Sequence, residues 1–261
     1  MTISMPEKFK SLSPAEFFYR NREIAGFANP VRALYQTVRE LVENALDATD
    51  CHEILPTIQV EIARDSIELP HYRVTVADNG IGIPPEYVPQ AFGQVLYGSK
   101  YVLKQSRGMF GLGVKMAILY GQITTGKPVI VETIPYKSKY KYTFKLLIDI
   151  EKNQPIVLER KVKKLKKRRH GTLVSVVVEG DWSRAKSRIV EYIRRTAIVA
   201  PYANIYFKDP DGNVYHYPRV IRKLPPPPKE TKPHPHGVDI EMLKALISSI
   251  EAETLLEFLT K

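Results

Sequence analysis

Glu40, Asn44 and Asp47 recur at helical spacing within Arg39–Asp50, RELVENALDATD. At about 100° per residue they fall within roughly 40° of one another, so one helix edge carries a carboxylate, an amide and a second carboxylate. Leu41, Val42, Ala45 and Leu46 mark the apolar side, and Glu43 offers a further carboxylate on a neighbouring edge. A solvated helix face has the same pattern; if the edge is buried, its polar groups need partners, since each one left alone costs several kcal/mol. Two glycine-rich stretches follow. Val76–Pro84, VADNGIGIP, closes an alternating strand on Asp78 and places Gly80 and Gly82 after it. Glycine there lets a backbone turn with positive φ and approach a ligand, although Asn79-Gly80 is also a hairpin-turn signal. Ser106–Lys115, SRGMFGLGVK, sets Gly108, Gly111 and Gly113 before the apolar run Val114–Tyr120. Glycines that open a helix form an anion site, because N–H groups and the helix dipole point at a phosphate. Neither stretch is the dinucleotide fingerprint or a P-loop.

The elements that must position these residues can be read in order. Ser13 caps a short helix over Pro14–Arg20, and Asn29-Pro30 starts a central helix running to about Thr49. Strands follow at Ile58–Ala63 and Tyr72–Ala77, then a short helix over Pro84–Phe92. Residues 93–113 have few periodic apolar positions and suit a lid over a ligand. Four strand-like runs, Val129–Ile134, Tyr142–Ile150, Ile156–Lys161 and Thr172–Val178, suggest an antiparallel meander. Asp181–Val199 is a second amphipathic helix with Ile189, Ile193, Ala197 and Ile198 facing inward, and a hairpin around Asp211-Gly212 joins Ile205–Lys208 to Val214–Tyr217. The proline run 225–228 begins a stiff linker. Val238–Leu259 is helical again, with an apolar face that needs something to pack against. The expected division is residues 1–29 as an N-terminal strap, 30–224 as the main domain, 225–237 as linker and 238–261 as the start of a helical insert. The fold class expected is α+β, a two-layer sandwich with a mixed, largely antiparallel sheet.

With 261 residues, 44% hydrophobic and 26% charged, the chain has the composition of a globular protein. It has no apolar run long enough for a membrane span and no secretion-signal pattern, so a cytoplasmic location is expected. Cys51, the single cysteine, excludes an intrachain disulfide and a cysteine metal site. In the linker, His234 and His236 lack further ligand spacing and read as solvated. A net charge of +11 favours a polyanionic partner. The basic run Lys161–Arg169, KVKKLKKRR, with Arg184, Lys186, Arg188, Arg194 and Arg195, offers a surface for phosphates; an exposed hairpin loop is the plainer alternative.

The order of the boxes is the specific signal: Glu40, Asn44 and Asp47 on a helix, then Asp78-x-Gly80-x-Gly82, then Gly108-x-x-Gly111-x-Gly113, then Gly171-Thr172 opening an apolar strand. In this order the chain resembles the GHKL ATPases (gyrase B, heat-shock chaperone, histidine kinase, MutL), whose site lies in the Bergerat α/β sandwich. The segments QVLYGSKYVLKQSRGMFGLGVKMA and SPAEFFYRNREIAGF resemble the B-subunit family of archaeal type IIB topoisomerase VI. The resemblance implies ATP and Mg²⁺ as ligands, Glu40 as the base that orients and deprotonates water, Asn44 as the metal ligand and Asp47 in support. It implies Asp78 as acceptor of the adenine amine with Thr172 joining through a water, and Gly80, Gly82, Gly108, Gly111 and Gly113 around the nucleotide. Ser99 and Lys100 reach in from the lid. It further implies homodimerisation on ATP, double-stranded DNA as substrate, a separate A subunit carrying the cleaving tyrosine, and a transducer domain bearing a γ-phosphate lysine. Neither a complete helix-two-turns-helix insert nor a transducer is present, so the chain reads as a fragment or shortened relative that binds ATP and hydrolyses it slowly. Lys115 is expected to point away from the site. A histidine-kinase-type or MutL-like ATPase is the alternative within the fold, and a non-enzymatic nucleic-acid-binding module the alternative outside it.

Overall fold

The computed structural model describes residues 11–98, 112–226 and 234–260. In chain order the strands are β1 (Thr57–Arg64), β2 (His71–Ala77), β3 (Val129–Ile134), β4 (Tyr140–Asp149), β5 (Gln154–Lys164), β6 (Gly171–Glu179), β7 (Asn204–Lys208) and β8 (Val214–Tyr217). They form one eight-stranded sheet in the order β5-β4-β3-β6-β2-β1-β7-β8. All pairs are antiparallel except β1 with β7. The expectation of a simple meander is corrected here: β6 returns to pair with β3, not β5. The reason is composition. β6 is buried along nearly its whole length and belongs inside a sheet, whereas β5 carries charges on both faces and is left at the edge.

Helices α1 (Pro14–Arg20), α2 (Pro30–Asp50), α3 (Val88–Gly93), α4 (Gly113–Thr125) and α5 (Trp182–Val199) complete the first unit. The row Val76, Val174, Val131 and Phe144, in register across four strands, is buried and faces the helices, giving an α+β sandwich. The Asn29 side chain caps α2 by accepting from Arg32 N at 3.0 Å, with Pro30 in the first turn. Residues 11–29 fold onto their own domain: Ser13 Oγ donates to Ile150 O at 2.5 Å, and Ala15 and Phe27 are fully buried.

One side chain and two element boundaries differ from the sequence expectation. Ile198 is 65% exposed, because it lies nine positions from Ile189 and half a turn off the buried stripe. The short helix begins at Val88, after a turn in which Tyr87 N donates to Pro84 O at 3.0 Å; Pro84 and Pro85 hold the chain out of a helix before it. The C-terminal helical run is split into α6 (Ile240–Ser249) and α7 (Leu255–Thr260). The backbone leaves the helix at Ile250, Ser248 and Ser249 bond back to Lys244 O and Leu246 O, and Thr254 Oγ1 caps the next helix. These helices belong to a second unit, Pro227–Lys261, distinct from Met1–Pro226.

Candidate functional site

On α2 the apolar side chains of Leu41, Val42, Ala45 and Leu46 are buried, which fixes the helix's rotation. Glu40 and Asn44 are then half-buried and Asp47 is buried. Gln36 Nε2 donates to Glu40 Oε1 at 2.6 Å, and Asn44 Nδ2 donates to the Glu40 carbonyl at 2.9 Å. Glu43, the alternative carboxylate, is engaged elsewhere: it accepts from Arg39 Nε at 2.7 Å. The decisive contact of Glu40 is with Gly113, the first residue of α4. A Cβ at Gly113 would stand 1.5 Å from Glu40 Oε2 and 2.0 Å from its Cδ. Only glycine admits this carboxylate against the opening turn of α4, where the helix dipole favours an anion.

Asp78 follows β2 and is gripped by β6. Its N–H donates to Thr172 O at 2.9 Å, while Oδ1 accepts from Gly80 N at 2.8 Å and Thr172 N at 3.2 Å. Burial pushes its carboxyl up to about 6, against the downward pull of those N–H groups and of His170. Gly171 takes φ +140°, and a Cβ there would lie 2.0 Å from Asp78 O. The far end of the loop is held by β3. Thr133 Oγ1 accepts from Ile83 N at 2.7 Å and donates to Ile83 O at 2.9 Å, and Tyr136 N donates to Ile81 O at 2.6 Å. The chain then continues to α3, so Asn79-Gly80 is not a hairpin turn. Asn79 instead ties the loop to the entrance of β1, accepting from Thr57 N at 2.7 Å and donating to Leu55 O at 3.1 Å. A Cβ on Gly80 would meet Ala48 O at 2.8 Å, so the loop abuts α2 as well.

The structure thus brings Glu40 to Gly113 and gathers Asp78, Gly80 and Thr172, with α2 along both groups. Thr172 meets Asp78 through its backbone N–H and C=O. Ser99, Lys100, Gly108 and Gly111 lie outside the described residues. The start of the expected lid is anchored to the turn before β5: Val95 N donates to Asn153 Oδ1 at 2.9 Å, and Val95 O accepts from Asn153 Nδ2 at 3.0 Å. Lys115 is buried with Nζ donating to Tyr97 O, and burial lowers it to about 8. Gln36 and His170 are missed by sequence reasoning. Gln36 carries a usable signal, one helical turn before Glu40; a single histidine ahead of Gly171 carries none. Of the basic residues, Lys161, Lys163, Lys164 and Lys166–Arg169 are exposed. Arg184, Lys186 and Arg188 line a groove of about 930 Å³ with Arg32, Arg64, Asp181 and Asp211; Lys186 pairs with Asp211 and Arg184 with Asp181 there, as Arg194 and Arg195 pair with Glu191.

Residues 29–151 match the family described as "Histidine kinase-, DNA gyrase B-, and HSP90-like ATPase". This segment is a GHKL ATPase domain. It contains α2, the Asp78–Gly82 loop and Gly113, and β6 completes its base of support from beyond the matched residues. Over 260 residues the chain is 61% identical to the B subunit of type 2 DNA topoisomerase 6 from Metallosphaera sedula, covering 99% of this chain and 49% of that protein. Identity to the corresponding protein of Saccharolobus shibatae is 58% over 258 residues, 98% of this chain and 49% of that one. The chain therefore spans about half the length of these curated relatives. Among solved structures, the ATPase region of Saccharomyces cerevisiae topoisomerase II has a TM-score of 0.56 at 19% identity, covering 76% of this chain and 60% of that one. The 43K ATPase domain of Thermus thermophilus gyrase B has a TM-score of 0.53 at 18% identity, covering 79% and 51%. Both share the GHKL sandwich. Among the described residues no helix is long and apolar enough to cross a membrane.

Proposed function

We propose that this chain is the ATP-binding part of a topoisomerase VI B-type protein, a clamp that dimerises on ATP and drives passage of double-stranded DNA with an A subunit carrying the cleaving tyrosine. The observation that supports it most is the seating of Glu40 on Gly113 at the opening of a helix suited to phosphate, with Asp78 held by backbone donors further along α2. In this reading the nucleobase amine donates to Asp78, and Gly80, Gly82, Gly108, Gly111 and Gly113 border the nucleotide. Ser99 and Lys100 approach from the lid, and Thr172 and Asp47 support the contacts at either end.

Glu40 takes the proton of a water that attacks the γ-phosphorus; the bond from that phosphorus to the bridging oxygen breaks, and ADP leaves with the electron pair. Gln36 holds the carboxylate in place. The oxygen-only donors of Asn44 and its neighbours fit Mg²⁺, which prefers few protein ligands and retains waters; Asn44 would hold it, its amide oriented by the Nδ2 bond to Glu40 O. When bound, the ion supplies charge neutralisation on the phosphates. The exposed Lys161–Arg169 run and the groove with Arg184, Lys186 and Arg188 suit duplex DNA through phosphates, without base reading.

ATP titration with Mg²⁺, a steady-state ATPase assay with and without duplex DNA, and co-purification with an A subunit test the proposal. The 261-residue chain should bind ATP, dimerise with a non-hydrolysable analogue and turn over slowly. Failure to bind ATP would refute it, and binding without A-subunit association would favour another GHKL ATPase.

A further inference from the structure

His170 stands where β6 begins, between the exposed basic run and the Asp78 loop. Its Nδ1 lies 2.7 Å from Gly80 O. A carbonyl only accepts, so Nδ1 carries the proton and donates. The ring is also fixed from the side, edge-on to Tyr136 with centroids 5.3 Å apart and planes at 77°. Tyr136 in turn donates its backbone N–H to Ile81 O at 2.6 Å. His170 and Tyr136 therefore hold consecutive carbonyls, those of Gly80 and Ile81, and each braces the other. Gly80 matters because its N–H, in the peptide unit just before the carbonyl that His170 holds, donates to Asp78 Oδ1 at 2.8 Å. A shift or rotation of Gly80 would move one of the two N–H groups that orient the carboxylate, the other being that of Thr172.

We infer that His170 is a positioning residue for nucleobase selection: by holding Gly80 O it fixes the Asp78 carboxylate in the orientation that accepts the exocyclic amine of adenine. The inference rests on the nucleotide-site reading above and extends it, since His170 is assigned to act through Gly80 O rather than on the nucleotide itself. Its effect should be felt at the base end, because among the described residues the seating of Glu40 on Gly113 is built on α2 and α4 and not on this loop.

Three variants separate donor from bulk. His170→Phe keeps a ring against Tyr136 and removes the donor. His170→Asn removes the ring but restores an amide N–H near the Nδ1 position, and Asp78→Asn reports on the base contact itself. Binding of MgATP, MgGTP and Mg-tripolyphosphate to the 261-residue chain is measured by calorimetry, with melting temperature as the control for folding. His170→Phe should weaken ATP about five- to tenfold, the value of one lost hydrogen bond that orients a charged acceptor, and narrow the ATP-to-GTP preference. Tripolyphosphate affinity should be unchanged, and His170→Asn should recover most of the ATP affinity. Unaltered ATP binding in His170→Phe, or an equal loss for ATP and tripolyphosphate, would overturn the inference while leaving the site reading intact provided Asp78→Asn still weakens ATP. If Asp78→Asn also binds ATP normally, the site reading fails and the inference with it.

Discussion

Replacing Gly113 by alanine puts one methyl group where the Glu40 carboxylate now lies. The new carbon would stand 1.5 Å from Oε2, 2.0 Å from Cδ and 2.7 Å from Cγ. All three atoms belong to a side chain, so α4 can stay and Glu40 must swing away. Doing so breaks the 2.6 Å bond from Gln36. The lost bond costs about 1 kcal/mol, and any off-rotamer compromise adds roughly 0.5–1.5 kcal/mol. Alanine at a helical position returns up to about 1 kcal/mol relative to glycine. Folding stability should therefore fall by roughly 0.5–2.5 kcal/mol, on the sum of these effects. Hydrolysis should fall much further, by about 10²-fold or more, because a general base contributes that much and this one is displaced. Single-turnover hydrolysis with protein in excess over radiolabelled ATP measures the step even when cycling is slow. Binding of ATP is measured alongside, because Gly113 itself borders the nucleotide, and the single-turnover rate is read at saturating protein so that a change in affinity does not enter it. Undiminished single-turnover hydrolysis in a folded Gly113→Ala protein would refute the assignment of Glu40 in this position as the base.

Glu40→Ala should leave ATP and ADP affinity nearly intact and remove hydrolysis by about 10²-fold or more, whereas wild-type turnover in that variant would sink the assignment, Glu43 being held by Arg39. Burial raises Asp78 to about 6, so the folded chain binds its proton more readily than the unfolded one. The corresponding stability is present below the unfolded value near 4 and is lost as pH rises through about 6. Adenosine, which has no phosphate to titrate, should bind the ionised form and weaken as pH falls below about 6, approaching tenfold per pH unit; a flat profile in calorimetry from pH 5 to 8 would contradict the contact. Lys115 is shifted the other way, down to about 8 by burial. Its folded form therefore sheds a proton that the unfolded form keeps, and stability rises as pH climbs from about 8 towards 10. Lys115→Met should raise the free energy of unfolding at pH 7 by on the order of 2 kcal/mol, with the gain vanishing near pH 10; an equal gain at both pH values would point to packing alone.

Much of this architecture is legible in the sequence because it depends on local period. The 3.6-residue repeat of Leu41, Val42, Ala45 and Leu46 fixes which edge of α2 can carry chemistry, and the buried and half-buried residues of the structure follow it. The Asp78–Gly82 loop and the opening of α4 at Gly113 are marked by glycine spacing. What stays hidden depends on partners distant in sequence. Strand order is one case: runs separated by turns suggest sequential pairing, yet β6 passes over β4 and β5 to reach β3 because its apolar faces need cover. The parallel pairing of β1 with β7 is another, set after α5 has crossed the sheet. Residue type alone assigns Ile198 to the core, and helix geometry turns it to solvent. His170 is invisible for a different reason, since its meaning comes only from the carbonyl that the fold brings to it.

The helix α2 also relates the two otherwise separate segments proposed to serve one ligand. Glu40 meets Gly113, and Ala48, two turns on, has its carbonyl against Gly80. Eight residues of helix rise about 12 Å, which is the scale of an extended nucleoside triphosphate from base to terminal phosphate. A rigid helix held by its buried face thus sets the distance between the carboxylate proposed to act on water and the loop proposed to hold the base. Neither the β6 clamp on Asp78 nor the α4 opening could fix that distance alone, because each touches only one end. The polar stripe is tolerated on a largely buried helix because its members find partners, the Glu40 carboxylate in Gln36 Nε2 and the Asn44 amide in the Glu40 carbonyl.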